Sequence, residues 1–161
     1  MMKTKHISTI LIFLAVIARG QQPLTGQIKE YDLTLQKLMV SEKPTGTTFK
    51  VKATLTNNTP DTLYYFSMTC SWQEFYHTDN KTLRINISPC DKNVQTVVAV
   101  PPKGSNAVEL EVISQKNTTT NPMTFKIGLD LVKAKSKWER RNFDKLNRTS
   151  IIIWSDKLTW K

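Results

Sequence analysis

Two cysteines, Cys70 and Cys90, are the side chains of this sequence best placed for covalent chemistry, and their surroundings restrict what that chemistry is. A redox or metal site would show CxxC spacing or paired histidines, and the chain has neither. The pair reads as a structural disulfide closing a loop of about 20 residues, which stabilises by roughly 3 kcal/mol in the chain-entropy picture. A serine or cysteine nucleophile would need a base, and beyond the N-terminal segment that leaves His77, whose neighbours Tyr76 and Thr78 form no motif. Glu109 and Glu111 share one face of an alternating strand, the spacing of a solvated face rather than of an acid and a base. Asp79 and Asp91 could meet near the disulfide and hold a cation, but too few oxygen ligands accompany them for calcium. With no phosphate-cradling glycine loop and no zinc signature, the expectation is a protein that is not an enzyme and carries no cofactor.

Two polar or aromatic groupings remain as candidate binding surfaces. Lys133, Lys135, Lys137, Arg140, Arg141 and Lys145 are interleaved with Trp138 and Phe143, the pattern of a patch that attracts an anionic surface by charge while aromatic rings insert or stack. Glu139 and Asp144 dilute it, and no dedicated nucleic-acid motif accompanies it. The second grouping is the aromatic crowd from Tyr64 to Tyr76, most of which belongs in a core; Tyr65, Phe75 and Tyr76 are its candidates for an exposed contact patch facing a protein or a glycan.

These residues are positioned by a succession of short alternating segments. Tyr64, Phe66, Met68, Cys70 and Trp72 fall at every second position and so share one face of a predicted strand, the expected core face. Thr78-Asp79-Asn80-Lys81 is a turn signal, and Leu83, Ile85 and Ile87 are expected to return beside that strand and bring Cys90 to Cys70. Phe49, Val51, Ala53 and Leu55 alternate with threonine and lysine in the clearest strand of the chain. Ile28 to Val40 mixes helical and strand spacing and is assigned to a strand, because everything after it is β-like. Val94 to Val100 forms a further strand that stops at Pro101-Pro102-Lys103-Gly104-Ser105-Asn106. Then come Val108, Leu110 and Val112; Phe125, Ile127, Leu129 and Leu131; and, after a long basic connection from Lys133 to Arg148, a closing strand within Ile151 to Trp160 with Ile152, Trp154, Leu158 and Trp160 as its apolar anchors. About eight alternating strands with no amphipathic helix predict an all-β, antiparallel, immunoglobulin-like β-sandwich in one domain, residues 21–161. Trp72 lies on the strand of Cys70, unlike the third-strand tryptophan of antibody domains.

Residues 1–20 have the form of a secretory signal peptide: Lys3 and Lys5, the apolar run Ile7 to Ile17, then Ala18-Arg19-Gly20. That run is too short to span a bilayer, and no later stretch approaches spanning length. Without Lys3, Lys5 and Arg19 the 23 basic residues fall to 20 against 13 acidic ones, so the processed chain is still basic at about +7. A secreted or periplasmic location follows, and it is where a disulfide persists.

Thr54-Leu55-Thr56-Asn57-Asn58, Met68-Thr69-Cys70-Ser71-Trp72, Asp79-Asn80-Lys81, Cys90-Asp91-Lys92-Asn93 and Ile153-Trp154-Ser155 together resemble small secreted immunoglobulin-like proteins of Bacteroidetes-type bacteria, over most of the processed chain. That resemblance implies the sandwich and no particular activity. The Thr-Asn-Asn and Pro-Lys-Gly-Ser turns are also similar to those of a bacterial proteinase inhibitor family. Asn57, Asn80, Asn86, Asn117 and Asn147 each open an Asn-x-Ser/Thr triplet, which the bacterial resemblance leaves unmodified. The expected role is non-catalytic binding of a protein, a glycan or an envelope component. The alternative is proteinase inhibition by a rigid loop, Pro101 to Asn106 or Lys133 to Arg148.

Overall fold

The computed structural model of the chain describes residues 29–43, 46–114, 122–140 and 150–160. The signal peptide and the leader expected before residue 29 lie outside these, as do Arg141, Phe143 and Lys145.

The described residues form twelve strands: β1 (Tyr31–Lys43), β2 (Gly46–Asn57), β3 (Leu63–Met68), β4 (Tyr76–Thr78), β5 (Leu83–Ile85), β6 (Gln95–Val100), β7 (Ser105–Ser114), β8 (Met123–Phe125), β9 (Ile127–Leu131), β10 (Lys133–Ala134), β11 (Ile151–Trp154) and β12 (Leu158–Trp160). All pairings are antiparallel, and the described residues include one short 3-10 turn, Trp72–Phe75, and no α-helix. The first layer has the order β1-β2-β7-β5. The second is assembled from shorter pieces. β8, β9 and β10 form one path broken at Lys126 and Val132, flanked on one side by β11 and β12 and on the other by β3 and β4, with β6 beyond β3. Counting β8–β10, β3–β4 and β11–β12 each as one path leaves eight, in line with the roughly eight strands that alternation predicts.

The core forms where the two layers face each other. Phe49, Val51, Ala53 and Leu55 of β2 and Leu110 and Val112 of β7 bury their side chains against Phe125, Ile127, Leu129 and Leu131. Each of those runs has period two, so one face meets the partner layer while Lys50, Lys52, Glu109 and Glu111 face outward. In β1 the register slips between Lys37 and Met39, and Leu38 at the slip and Met39 and Val40 beyond it are exposed.

Three expectations about the cysteine region and the closing strand are corrected. The Leu83–Ile85 strand does not return beside β3. It joins the other layer, with Leu83 opposite Ser114 and Ile85 opposite Val112, because both edges of β3 are already paired, to β6 and to β10. The disulfide forms nonetheless, with a Cα–Cα distance of 5.8 Å, and joins the chain after β3 to the connection between β5 and β6. Secondly, strand pairing ends at Met68, so Cys70 and Trp72 do not continue the face of Tyr64, Phe66 and Met68. β3 is buried on both sides: Leu63 and Tyr65 enter the main core, whereas Phe66 joins Val132 in a satellite cluster covered by Phe75 and Val97. Alternation identifies two faces but cannot tell that a later turn will fold over the outer one. Thirdly, Ile152 and Trp154 face outward, at 48% and 36% exposure. Pairing of Ile153 with the core residue Leu129 sets the opposite phase, and the inward position after it is Ser155, whose Oγ accepts from Ile127 N–H at 3.0 Å. Leu158 and Trp160 do pack on the core, Trp160 with its ring 5.3 Å from that of Phe49.

Candidate functional site: a groove at one end of the sandwich

Asn57 ends β2 and, though polar, has 0% exposure. Its Nδ2 donates to the carbonyls of Asp61 (2.7 Å), Val100 (3.1 Å) and Pro101 (3.1 Å), and its Oδ1 accepts from Thr59 N (3.1 Å) and Thr59 Oγ1 (2.7 Å). Asparagine can satisfy donors and acceptors at once, so this side chain replaces the ladder that Pro60 and Pro101 interrupt. It also ties the β2–β3 loop to the β6–β7 turn. That turn is compact: Gly104 N–H donates to Pro101 O at 3.0 Å, and Lys103 sits at φ 57°.

The two connections so tied wall a groove of about 560 Å³ at this end of the molecule, within the usual range for ligand sites. Its floor and rims include Tyr31, Asn58, Asp61, Tyr64, Lys103 and Lys133. The sequence motifs named separately, the Pro101–Asn106 turn and the start of the basic connection, thus each contribute a lysine to one depression. The charges are balanced locally. Lys133 Nζ lies 3.7 Å from Glu30 Oε2 and 4.5 Å from the centre of the Tyr31 ring, and Lys103 Nζ donates to Asn58 O at 2.5 Å. Tyr64 is half-buried at the groove wall.

The described remainder of the basic run, Lys135 to Arg140, lines no part of the groove and is mostly exposed. Trp138 is 74% exposed, with Lys137 Nζ 4.6 Å from its ring centre, and Lys135 N–H donates to the Glu139 carboxylate. Lys135, Lys137 and Arg140 are exposed, so the described part of the predicted anionic-ligand patch is accessible.

The predicted contact patch of Tyr65, Phe75 and Tyr76 is not an exposed surface. Tyr65 (5%) and Tyr76 (9%) are core residues, and Phe75 is half-buried between the two clusters. Burial pushes both phenols above their ordinary pKa, Tyr76 further because a Tyr65 phenolate would repel its own, while a hydrogen bond from Asn106 partly offsets the rise at Tyr65.

His77 is a strand residue of β4. Its Nδ1 is 3.6 Å from Asp130 Oδ2, and the Trp154 ring stands edge-on at 5.1 Å. Gly128 lies between β4 and β11 and makes this possible: a Cβ there would sit 2.7 Å from His77 Nε2 and 3.0 Å from Trp154. The sequence offered no sign of the His77–Asp130 pair, which arises from a diagonal across two strands. It supplies a base and a carboxylate, but no described serine, threonine or cysteine is hydrogen-bonded to His77. Asp79 is occupied elsewhere, its Oδ1 accepting from Lys126 N–H at 2.6 Å, and among the described residues no three His, Cys, Asp or Glu side chains converge on a metal-sized site. No helix among the described residues is long and apolar enough to cross a membrane.

No protein-family model and no curated protein matches this chain. Of the Asn-x-Ser/Thr triplets, Asn57 is unavailable for glycosylation in the folded chain, its amide nitrogen being buried and fully engaged.

Proposed function

We propose that this is a secreted or periplasmic, non-catalytic binding protein whose ligand site is the groove between the β2–β3 loop, the β6–β7 turn and the start of β10, and that the ligand is a glycan. The observation that carries this reading is the groove's composition. Tyr64 and Tyr31 offer aromatic surface, surrounded by the amide of Asn58, the hydroxyl of Thr59, the carboxylate of Asp61 and two lysines, with no excess of either charge. Sugars present alternating C–H faces and hydroxyl edges, and amphipathic tyrosines beside mixed donors and acceptors match both. The disulfide supports the compartment, since such a bond persists where thiols are not kept reduced.

The test is binding of the disulfide-bonded protein to a panel of neutral and acidic oligosaccharides, peptidoglycan fragments included, by calorimetry. A saturable glycan ligand is expected, with Tyr64→Ala weakening it at least about tenfold and the far-ultraviolet spectrum unchanged, as for removal of an aromatic anchor. Binding indifferent to Tyr64→Ala, or absent across the panel, would refute the site. A ligand lost steeply with added salt and with Arg140→Ser would move the binding surface to the exposed basic run.

A further inference from the structure

We infer that a second ligand site lies at the edge of the sandwich: a half-open cavity between the layers that takes a small neutral aromatic molecule bearing a hydrogen-bond acceptor. The cavity has a volume of about 240 Å³ and lies where β3 and β6 face β7. Protein interiors are close-packed, and voids much larger than a water are few. An apolar cavity of about 150 Å³ in another protein admits benzene, so this one has room for a substituted ring.

Its lining gives the chemistry of the occupant. Trp72, Phe75, Val98, Val108 and Leu129 supply apolar surface, and no charged residue lines it. Trp72 and Tyr76 stack edge to face, 6.1 Å between ring centres at 90°, forming a rigid aromatic wall. The polar component is two phenols. Asn106 Nδ2, from the opposite layer, donates to the Tyr65 hydroxyl oxygen at 2.9 Å, which leaves the Tyr65 hydroxyl hydrogen free to donate. The Tyr76 hydroxyl has no protein hydrogen-bond partner among the described residues, and Tyr76, 9% exposed, lines the same cavity. Two unspent O–H donors in an uncharged apolar chamber select a neutral acceptor such as a ketone, aldehyde or ether. They disfavour a carboxylate, whose desolvation no cation here would offset.

The mouth is built by the cysteine region. Thr69, exposed on the rim, has its N–H on Val94 O (2.9 Å) and its Oγ1 accepting from Val94 N–H (3.0 Å). Asn93 Oδ1 accepts from Cys70 N (3.4 Å) and Ser71 N (3.3 Å), and the Cys70–Cys90 bond closes the same segment on itself. The disulfide therefore anchors the segment that runs from Thr69 at the rim into the turn carrying Trp72 and Phe75, which line the cavity.

The experiment uses the disulfide-bonded protein with three probes of similar size: acetophenone, ethylbenzene, which lacks the acceptor, and benzoate, which is charged. Binding is followed by ligand-observed NMR. Saturable binding of acetophenone about fivefold or more tighter than ethylbenzene is expected, the worth of one buried hydrogen bond, with no saturable binding of benzoate at neutral pH. Tyr76→Phe should reduce the preference and the double change Tyr65→Phe with Tyr76→Phe should erase it, while ethylbenzene still binds. Val98→Phe should fill the chamber and abolish both. If Val98→Phe does not fold, the probe order and the Tyr76→Phe result still decide. Failure of both neutral probes to bind, binding untouched by a folded Val98→Phe, or benzoate binding as well as acetophenone would overturn the site.

Discussion

Replacing Asn57 by alanine should cost far more than any neighbouring substitution, and the amount can be worked from its contacts. The change removes the acceptor for Thr59 N–H and Thr59 Oγ1 and the donors to three carbonyls. Two of those carbonyls keep another partner: Asp61 O accepts from Thr59 Oγ1 at 3.0 Å, and Pro101 O accepts from Gly104 N–H at 3.0 Å. The Thr59 amide keeps none of its bond to Asn57. Taking about four bonds at a net 0.5–1.5 kcal/mol each, less what water recovers at the half-exposed Thr59, gives about 3 kcal/mol. For a domain of this size that lowers Tm by roughly 10 °C. Thermal unfolding and urea titration of Asn57→Ala would measure it, with the urea slope unchanged if the effect is on the native state. Asn58→Ala is the control, since its side chain donates to Lys29 O at an exposed edge, and it should cost under about 0.5 kcal/mol. Asn57→Asp sharpens the test. The carboxylate keeps an acceptor but turns a second oxygen toward the Val100 and Pro101 carbonyls, so its folded-state pKa is raised. The variant should be less stable than Asn57→Ala at neutral pH and should recover as pH falls through that raised value. A loss under about 1 kcal/mol for Asn57→Ala would refute the reasoning that this side chain substitutes for a ladder.

Three further outcomes are expected. Reduction of the Cys70–Cys90 bond, or its replacement by paired serines, should cost about 3 kcal/mol for a sequence separation of 20 and should weaken acetophenone binding through the loosened mouth; denaturation midpoints equal to the parent's would show the staple to be idle. Because Tyr65 and Tyr76 ionise less readily folded than unfolded, the unfolded chain loses protons first, so stability should decline as pH rises above about 10; Tyr76→Phe should flatten that decline, and urea midpoints constant up to about pH 11 would contradict it. Lys103 is held on the Asn58 carbonyl and does not project freely from its turn, so micromolar protein should leave a trypsin-like protease at full rate, and stoichiometric inhibition would show that the turn opens to present it.

What the sequence determined by itself is periodicity and its local consequences. The phase of Phe49 to Leu55, of Val108 to Val112 and of Phe125 to Leu131 already separates core from surface, because a strand's side chains alternate whatever it pairs with. Turn chemistry at Asn80 and at Pro101 to Gly104 is local for the same reason, and the cysteine pairing was legible because the chain holds two cysteines. Pairing partners and layer membership were decided by tertiary structure. Whether Leu83–Ile85 lies beside β3 or across the sandwich depends on which edges are vacant, and no residue in it records that. Tyr65 and Phe66 are adjacent and both apolar, and the turn that covers Phe66 is what divides them between two clusters. The groove and the cavity were invisible for one reason. Each is bounded by residues far apart in the chain, Tyr31 with Lys133 and Tyr65 with Asn106, and long-range juxtaposition leaves no trace in local spacing.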